Sequence, residues 1–486
     1  MPFSSLFFLH VFLPVFLLAY WLAPRRYANL TALVGSLLFY AWGAPQFLPV
    51  LCVLALVDYQ LGHAIARWRE HELTRGRAKA ALTAGICMHL GMLAYFKYSN
   101  FFVGEVNRAI GRVGHASIAW TQVVLPIGIS FITFEEVSYL TDVYRGDAKP
   151  PAKFTHYALF LTLFPHAIAG PIFRWKDLQS QLMDRSASRV SIQRGFERFA
   201  MGLGKKVLLA DSVAIIADNC FNYLPASQLS PGLAWSAAVA YTLQIYFDFS
   251  GYSDMAIGLG AMMGFRFKEN FRQPYLASTL TEFWQRWHIS LSSWLRDYLY
   301  VPLGGNRRSP RRALLNVFLV FAISGLWHGP AWTFVAWGAF HGIVVVLERR
   351  FVSLRARVPA GLGHALTLLL VVCGWVFFRA NSLGQAWAFL RAMVGFRAAE
   401  SLGILPAFIF PRVALLAGAV GLAVALLPRW WPAARMASAA DEANTAELSA
   451  TSKYAALRAG GCVVLLLASS VHMVCSGTTP LIYFKF

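Results

Sequence analysis

The chain has 486 residues, of which 57% are hydrophobic and 14% charged, and its mean hydropathy is +0.52. Soluble domains are about 45–50% apolar and about 25% charged, so this composition excludes an ordinary soluble domain and predicts a membrane protein with lipid as its solvent. The formal net charge of +20 does not indicate nucleic-acid binding, because the Lys and Arg residues lie at the ends of apolar runs rather than in one basic block.

Apolar runs that approach the length of a membrane span recur along the whole chain. A helix needs about 20 apolar residues to cross a hydrocarbon core of roughly 30 Å. The first run lacks the basic n-region and cleavage site of a signal peptide, so we expect it to remain as a spanning helix. We expect an all-α polytopic fold with about ten to twelve membrane segments, some of them re-entrant or in-plane. The candidate runs are 5–23, 28–43, 46–66, 79–96, 118–140, 155–173, 200–219, 232–263, 313–347, 362–379, 405–428 and 458–475.

Basic residues predict the orientation of the first segments. The positive-inside bias places the arginine pair at 25–26, the basic stretch 67–79 and the loop 142–154 on the cytoplasmic side. No pair of interrupted helices recurs in two halves of the chain, so a transporter built from repeats is not favoured. We expect one membrane-embedded domain over 1–486, with the Ala/Ser/Glu-rich segment 433–456 as a flexible linker.

Three ionisable side chains within apolar runs are further candidates for the site. His166 lies in the Pro- and Gly-interrupted stretch 164–171, where we expect it to line a cavity. Asp248 and Asp254 lie within the run 232–263 and so cannot face lipid. Two interpretations of these carboxylates stay open: they orient an imidazole beside the substrate, or they hold the fold by internal hydrogen bonds.

The stretch 282–298 is rich in tryptophan and predicts an amphipathic helix lying in or just below the membrane interface. Trp284 falls on its aromatic face, Arg286 and Asp297 fall on another face, and His288 lies at the edge of the aromatic face. Such a helix is either an interfacial anchor or, in the functional interpretation, part of a substrate-binding wall that includes His288.

The run 313–347 is too long for one straight span. Its 35 residues would extend about 50 Å as a helix, and the sequence interrupts it near the middle, over 324–330. Both ends are basic, so we expect a hairpin with His328 at its apex and Trp327 beside it. An ionisable residue at a broken membrane helix is a functional candidate, and an imidazole suits proton abstraction.

Other common chemical signatures are absent from the sequence. The six cysteines show no CxxC or Cys/His ligand spacing, so no metal site is predicted. The HExxH, P-loop and GxSxG patterns are also missing, which removes several classes of hydrolase and nucleotide-binding enzyme.

These motifs together resemble the membrane-bound O-acyltransferase family, and within it the bacterial branch that O-acetylates exopolysaccharide. The stretches that carry the resemblance span nearly the whole chain. They are 1–5, 125–131, 164–171, 246–254, 283–288, 294–298, 304–307, 326–329, 375–380 and 482–484.

The resemblance implies that His328 matches the catalytic histidine of the family and that His288 matches its second signature position. It also implies helices arranged around a funnel or tunnel, a location in the bacterial inner membrane, and an acyl donor that arrives from the cytoplasm. The expected donor is acetyl-CoA, as a substrate rather than a permanently bound cofactor. The expected partner is a periplasmic or membrane-anchored acetyltransferase that modifies the polysaccharide, for which alginate is the favoured polymer.

The resulting hypothesis is acetyl transfer from a thioester to a hydroxyl, directly or through an acyl relay, with His328 as general base and His288 orienting donor or acceptor. Two alternatives remain. The first is an acyltransferase with another acyl group or acceptor, such as D-alanyl transfer to teichoic acid or fatty acylation of a lipid or protein. The second is a transporter of acetyl groups or polymer that performs no chemistry.

Overall fold

The computed structural model describes residues 2–355, 357–395, 406–426 and 455–476. Within these ranges all regular structure is helical, as composition and periodicity predicted. Most of the segment expected to be a linker, 433–454, lies outside the described residues, and the last helix begins at Ala455. The stretch 482–484, which contributes to the family resemblance, also lies outside them.

The described chain divides into two compact units. The first comprises Met1–Ile192 and Gly260–Arg266, and the second comprises Gln193–Leu259 and Phe267–Phe486. The helices of the first unit are α1 (Leu13–Leu22), α2 (Ala28–Gly43), α3 (Leu48–Arg69), α4 (Arg75–Arg112), α5 (Ile129–Arg145), α6 (Phe154–Thr162), α7 (Phe164–Ala167) and α8 (Trp175–Met183).

The second unit begins within α9 (Arg189–Gly204) and contains a long, largely buried helix, α11 (Pro231–Met262). Its other helices are α10 (Asp211–Asp218), α12 (Leu280–Arg286), α13 (Ile289–Leu295), α14 (Pro310–His328), α15 (Trp332–Arg350), α16 (Val352–Arg355), α17 (Ala360–Arg379), α18 (Leu383–Met393), α19 (Pro406–Ile409), α20 (Arg412–Leu426) and α21 (Ala455–Ser476).

Four helical segments of the described residues are long and apolar enough to cross a membrane: Pro45–Arg69, Glu72–Arg112, Ala360–Arg379 and Leu457–Ser476. Two further apolar helices, Phe8–Leu22 and Arg412–Leu426, are shorter. Large aliphatic side chains on several of these segments are exposed, which suits contact with lipid chains. Membrane insertion is therefore supported, whereas the expected total of about ten to twelve segments stays a prediction.

Two of the apolar runs are not continuous helices. In the run 118–140 the helix begins only at Ile129, after Gly128 has taken a left-handed conformation with φ of 79°. The run 155–173 divides into α6 and α7, because Pro165 stands at the start of α7 and cannot donate a backbone hydrogen bond to continue α6. Apolarity therefore did not predict helical continuity at these places, and the part of the run 118–140 that precedes the helix is largely exposed.

The predicted hairpin is present as α14 and α15. Ser309 caps α14 by accepting a hydrogen bond from the backbone N–H of Arg312, and the helix ends at His328. The two helices pack antiparallel at glycines: a Cβ on Gly325 would stand 3.0 Å from the Cα of Gly338, and each glycine faces backbone of the other helix. Gly325 therefore serves close packing rather than the break, which falls at Gly329 and Pro330.

Candidate active site

His328 is the last residue of α14 and lies at the turn of the hairpin. Gly329 follows it in an extended conformation, with φ of −167°, so the chain leaves the helix directly after the imidazole. The His328 side chain is buried, and three aromatic rings contact it: Trp327 and Trp337 with centroids at 5.0 Å, and Phe378 at 5.3 Å. This arrangement holds a proton-accepting group in a largely apolar cage.

His288 does not lie on a continuous helix, and the predicted amphipathic helix over 282–298 is wrong. Thr279 caps α12, which ends at Arg286, and His288 then takes a left-handed backbone conformation with φ of 44° and ψ of 54° before α13 begins. Residues other than glycine rarely adopt this conformation, and those that do occur often at functional sites. The turn directs the His288 side chain into the protein interior, where it is fully buried.

Asn270, which the sequence analysis missed, holds the turn at His288. Its side-chain oxygen lies 3.2 Å from Nδ1 of His288, and it accepts hydrogen bonds from the backbone N–H and the hydroxyl of Ser290 at 3.2 and 2.9 Å. Its amide nitrogen donates to the Ser253 hydroxyl at 3.1 Å, and its backbone oxygen accepts from the N–H of Ile289. A lone asparagine in a loop carries no periodic signal by which sequence reasoning would select it.

Burial also sets the protonation of His288. The imidazole packs edge-on against Phe249, with ring centroids 4.6 Å apart, and no solvent reaches it. Burial lowers the pKa of His288 from 6.5 to about 3, because the charged form loses its hydration. At neutral pH the ring is therefore uncharged and has one donor and one acceptor nitrogen.

A continuous group of aromatic rings extends from the turn at His288 to the apex of the hairpin. Trp287 contacts Trp375 at 4.9 Å, Trp375 stacks on Trp337 at 6.0 Å, and Trp337 contacts His328. Both histidines expected from the family resemblance thus belong to one aromatic cluster of the second unit. Trp284 and Trp327, expected to line the site, are buried in the same cluster.

Arg286 and Asp297, the charged residues expected near His288, form local ion pairs. Arg286 pairs with Glu282 one turn earlier on α12, with an Nη2–Oε1 distance of 2.7 Å. Asp297 pairs with the adjacent Arg296, also at 2.7 Å. All four side chains are partly exposed, so these pairs are positioned for local stabilisation at the rim of the unit rather than among the buried rings.

Asp248 and Asp254 bind an arginine of α9 and two lysines of the segment that joins α9 to α10. Lys206 lies 2.6 Å from Asp248, with only 3% of its side chain exposed. Asp254 accepts hydrogen bonds from Lys205 at 2.6 Å and from Arg198 at 2.8 Å. These pairs hold α11 against α9 and against that segment, whereas a role of the two carboxylates beside the substrate stays a prediction.

His166 lies in the first compact unit, where its Nδ1 is 2.9 Å from a carboxylate oxygen of Glu135. The same unit contains a second buried acid–histidine group, which sequence reasoning missed. His89 lies between Asp58 and Glu136, with each ring nitrogen 2.8 Å from one carboxylate. The three ligand atoms are close enough to suit a metal ion by distance alone. However, an imidazolium that donates both protons accounts for both contacts without an ion.

His341 is a third histidine of the second unit that the sequence analysis did not select. It is fully buried on α15, one turn after Trp337. Its ring contacts Trp337 at 5.0 Å and Trp284 at 5.2 Å. The signal was available, because His341 is an ionisable residue inside the same apolar run as His328.

Comparison with known proteins decides the family. The model of MBOAT, the membrane-bound O-acyltransferase family, matches residues 77–382, a range that contains His288, His328 and His341. The chain belongs to this family. It is accordingly an acyltransferase of the membrane-bound O-acyltransferase type, and the site described above lies within the matched range.

The relatives include enzymes with several acyl groups and acceptors. A probable alginate O-acetylase AlgI from Pseudomonas aeruginosa is 48% identical over 82% of this chain and 75% of its own length. A peptidoglycan O-acetyltransferase from Helicobacter pylori is 34% identical over 81% of this chain and 80% of its own. A teichoic acid D-alanyltransferase from Streptococcus thermophilus is 30% identical over 46% of this chain and 56% of its own.

Proposed function

We propose that the protein is an inner-membrane O-acetyltransferase that moves an acetyl group from a cytoplasmic thioester, acetyl-CoA, for O-acetylation of an exported polysaccharide, with alginate as the favoured polymer. The observation that carries the proposal is the buried imidazole of His328 at the turn of the α14–α15 hairpin in a membrane-bound O-acyltransferase. The relatives that match most of the chain support acetyl as the acyl group, since their names specify O-acetylation.

In the proposed step His328 removes the proton of the acceptor hydroxyl while the hydroxyl oxygen forms a bond to the carbonyl carbon of the thioester. When the C–S bond breaks, the imidazolium returns that proton to the leaving thiolate, so one acetate ester and one free thiol result. The aromatic cage around His328 excludes water, which limits hydrolysis of the thioester and strengthens electrostatic interactions in the site. His288 orients the donor or the acceptor as an uncharged hydrogen-bonding group.

The open end of the hairpin is a suitable place for the donor to approach. Exposed arginines surround this end, on the loop before α14, at its start and at the end of α15: Arg307, Arg308, Arg311, Arg312, Arg349 and Arg350. The positive-inside bias places this end in the cytoplasm, and its charge attracts the phosphates of coenzyme A. His328 lies about 27 Å further along α14.

This path requires a funnel or tunnel that reaches His328 from the cytoplasm. We propose about ten to twelve membrane segments around it, which include helices shorter than a full span. The proposed partner is a periplasmic or membrane-anchored acetyltransferase of the polysaccharide system. It receives the acetyl group and transfers it to the polymer. The names of the alginate O-acetylase relatives support such a system.

The test is acetyl transfer by purified protein from radiolabelled acetyl-CoA, with membranes that contain the polysaccharide and its acetylation partners but lack the native copy of this protein. We expect His328→Ala to abolish labelling of the polymer and the matched variant His71→Ala, at an exposed histidine of the loop between α3 and α4, to retain it. Labelling at the wild-type level by His328→Ala would exclude the proposed base. Such labelling would instead favour a transporter that performs no chemistry.

The same assay distinguishes the alternative acyl groups. Wild-type protein that transfers D-alanyl or a long fatty acyl group, and not acetyl, would contradict the acetyl assignment while it leaves His328 as the base. The D-alanyltransferase relatives cover less than half of this chain, so they carry less weight than the O-acetylases.

A further inference from the structure

Three nitrogen-bearing rings beside His328 form a compact group within the aromatic cluster. They are Trp337 and His341 on α15 and Trp284 on α12. Each ring contacts the other two, with centroid distances of 5.0, 5.2 and 5.6 Å, and Trp337 also contacts His328 at 5.0 Å. His341 is thus separated from His328 by one indole ring.

The polar atoms of this group are buried without hydrogen-bond partners. Among the described residues, none lies within hydrogen-bonding reach of the indole nitrogens of Trp284 and Trp337 or of either nitrogen of His341. His341 and Trp337 have no solvent exposure, and Trp284 has 8%. A buried polar group without a partner is energetically unfavourable, and most buried polar groups in proteins are paired. Four such atoms on three touching rings therefore indicate a ligand.

Packing alone does not account for these residues. A purely apolar ring would pack at positions 284, 337 and 341 without any unsatisfied nitrogen, and other aromatic rings surround them. The residue of α17 that faces His341 is Gly374, and a Cβ there would come 2.7 Å from Nε2 of His341. The fold thus admits this imidazole only because residue 374 lacks a side chain.

The chemistry of the group selects a hydrogen-bond acceptor as its ligand. An indole nitrogen donates only, and a neutral imidazole donates through one of its nitrogens, so the three rings together present three donors. The acetyl donor brings one matching atom, the thioester carbonyl oxygen, which becomes negatively charged as the hydroxyl attacks. Preorganised donors in a water-excluded site stabilise such a charge strongly.

We propose that His341, Trp337 and Trp284 bind the carbonyl oxygen of the acyl donor and stabilise the negative charge that develops on it beside His328. The inference deepens the proposed function and rests on it for the identity of the acyl group. In this arrangement His328 moves the proton, and the three-ring group holds the oxygen. The specific role of His341 is to supply a donor from the side opposite His328.

The kinetic test compares Trp337→Phe and His341→Phe with Trp235→Phe, which removes the N–H of an indole that donates to the Met393 carbonyl elsewhere in the unit. We expect each of the first two to lower kcat for acetyl transfer about 100- to 1000-fold with little change in KM for acetyl-CoA. Their resistance to unfolding should fall, because Trp337→Phe leaves a cavity and His341→Phe inserts a larger ring, so kcat is compared only at temperatures where each variant is fully folded. Trp235→Phe should retain kcat.

An infrared measurement tests the binding step without turnover. Hydrogen bonds weaken a carbonyl, so acetyl-CoA labelled with carbon-13 at the carbonyl should show a lower stretching frequency when bound to wild-type protein than in water. We expect this shift to persist in His328→Ala and to disappear in Trp337→Phe and His341→Phe. If both phenylalanine variants keep the shift and wild-type kcat, the three-ring group does not bind the carbonyl and the inference is wrong.

Failure of the proposed function has a different signature. If His328→Ala still transfers acetyl, the base assignment fails, but the carbonyl shift and its loss in the two phenylalanine variants still decide the inference. Wild-type protein that transfers another acyl group should show no shift of the carbonyl frequency of acetyl-CoA. The same comparison is then made with the thioester of that acyl group, labelled with carbon-13 at its carbonyl. A bound, reactive thioester whose carbonyl frequency matches that in water overturns the inference.

Discussion

The left-handed turn at His288 allows the function of its imidazole to be separated from the function of its backbone. With φ of 44° the turn suits glycine, whereas alanine pays the steric cost of its Cβ. That cost is about 1–2 kcal/mol. The greater freedom of glycine in the unfolded chain offsets roughly 0.5–1 kcal/mol of it. We therefore expect His288→Gly to be about 1 kcal/mol more stable than His288→Ala.

Both variants lose the ring contact with Phe249 and the contact with Asn270, so both should be less stable than wild type. Their activities should nevertheless agree. If the imidazole orients donor or acceptor, acetyl transfer falls about 100-fold or more in both, whatever their stability. Unfolding in mixed detergent micelles measures the stability difference, and transfer from radiolabelled acetyl-CoA measures activity.

Two results would refute this reasoning. Activity at the wild-type level in His288→Gly would mean that the turn alone is required and that the imidazole has no role in the reaction. Equal stability of the glycine and alanine variants would mean that the left-handed conformation at position 288 carries no strain. His288→Asn is the conservative comparison, because asparagine tolerates this conformation and keeps a donor and an acceptor.

Two further predictions concern buried histidines of the two units. His89→Phe leaves the carboxylates of Asp58 and Glu136 without their shared partner. We expect the free energy of unfolding in detergent to fall by about 3–5 kcal/mol. The control, Tyr157→Phe, removes one hydroxyl bonded to Asp58 and should lower it by only about 1 kcal/mol. A loss below 1 kcal/mol in His89→Phe would contradict the bridging imidazolium. Because the pKa of His288 falls from 6.5 to about 3 on folding, the unfolded chain binds a proton between these pH values that the folded chain does not. Stability of the wild type should therefore fall as the pH drops from 6.5 towards 3, and fall less steeply in His288→Gly; parallel pH profiles would exclude this contribution.

The hairpin illustrates how far the sequence reaches. A largely apolar run of 35 residues with basic ends and an internal Gly-Pro predicted a hairpin of two helices with His328 at its turn, and the structure has this arrangement. The prediction succeeded because it depended on helix length and on local backbone chemistry, both of which are properties of neighbouring residues. The close approach of Gly325 to Gly338 could not be predicted in this way, since it depends on how the two helices pack.

The stretch around His288 illustrates where the sequence fails. Periodicity predicted one amphipathic helix over 282–298, but the chain turns at His288 because Asn270 accepts hydrogen bonds from Ser290. No residue within the stretch 282–298 predicts that turn. The contact between His341 and Trp284, which lies far from it in the sequence, likewise follows only from the structure.

The sequence by itself determined that the protein is a helical membrane protein and that His328 lies where a helix is interrupted. These follow from composition, from run length and from motifs that are contiguous in the chain. Only the tertiary structure showed which polar groups lie in contact. Examples are the lysines that pair with Asp248 and Asp254, and the group formed by Trp284, Trp337 and His341. The physical reason is that hydrogen bonds and ring contacts depend on distances of a few ångströms, and folding sets those distances between residues that the sequence keeps far apart.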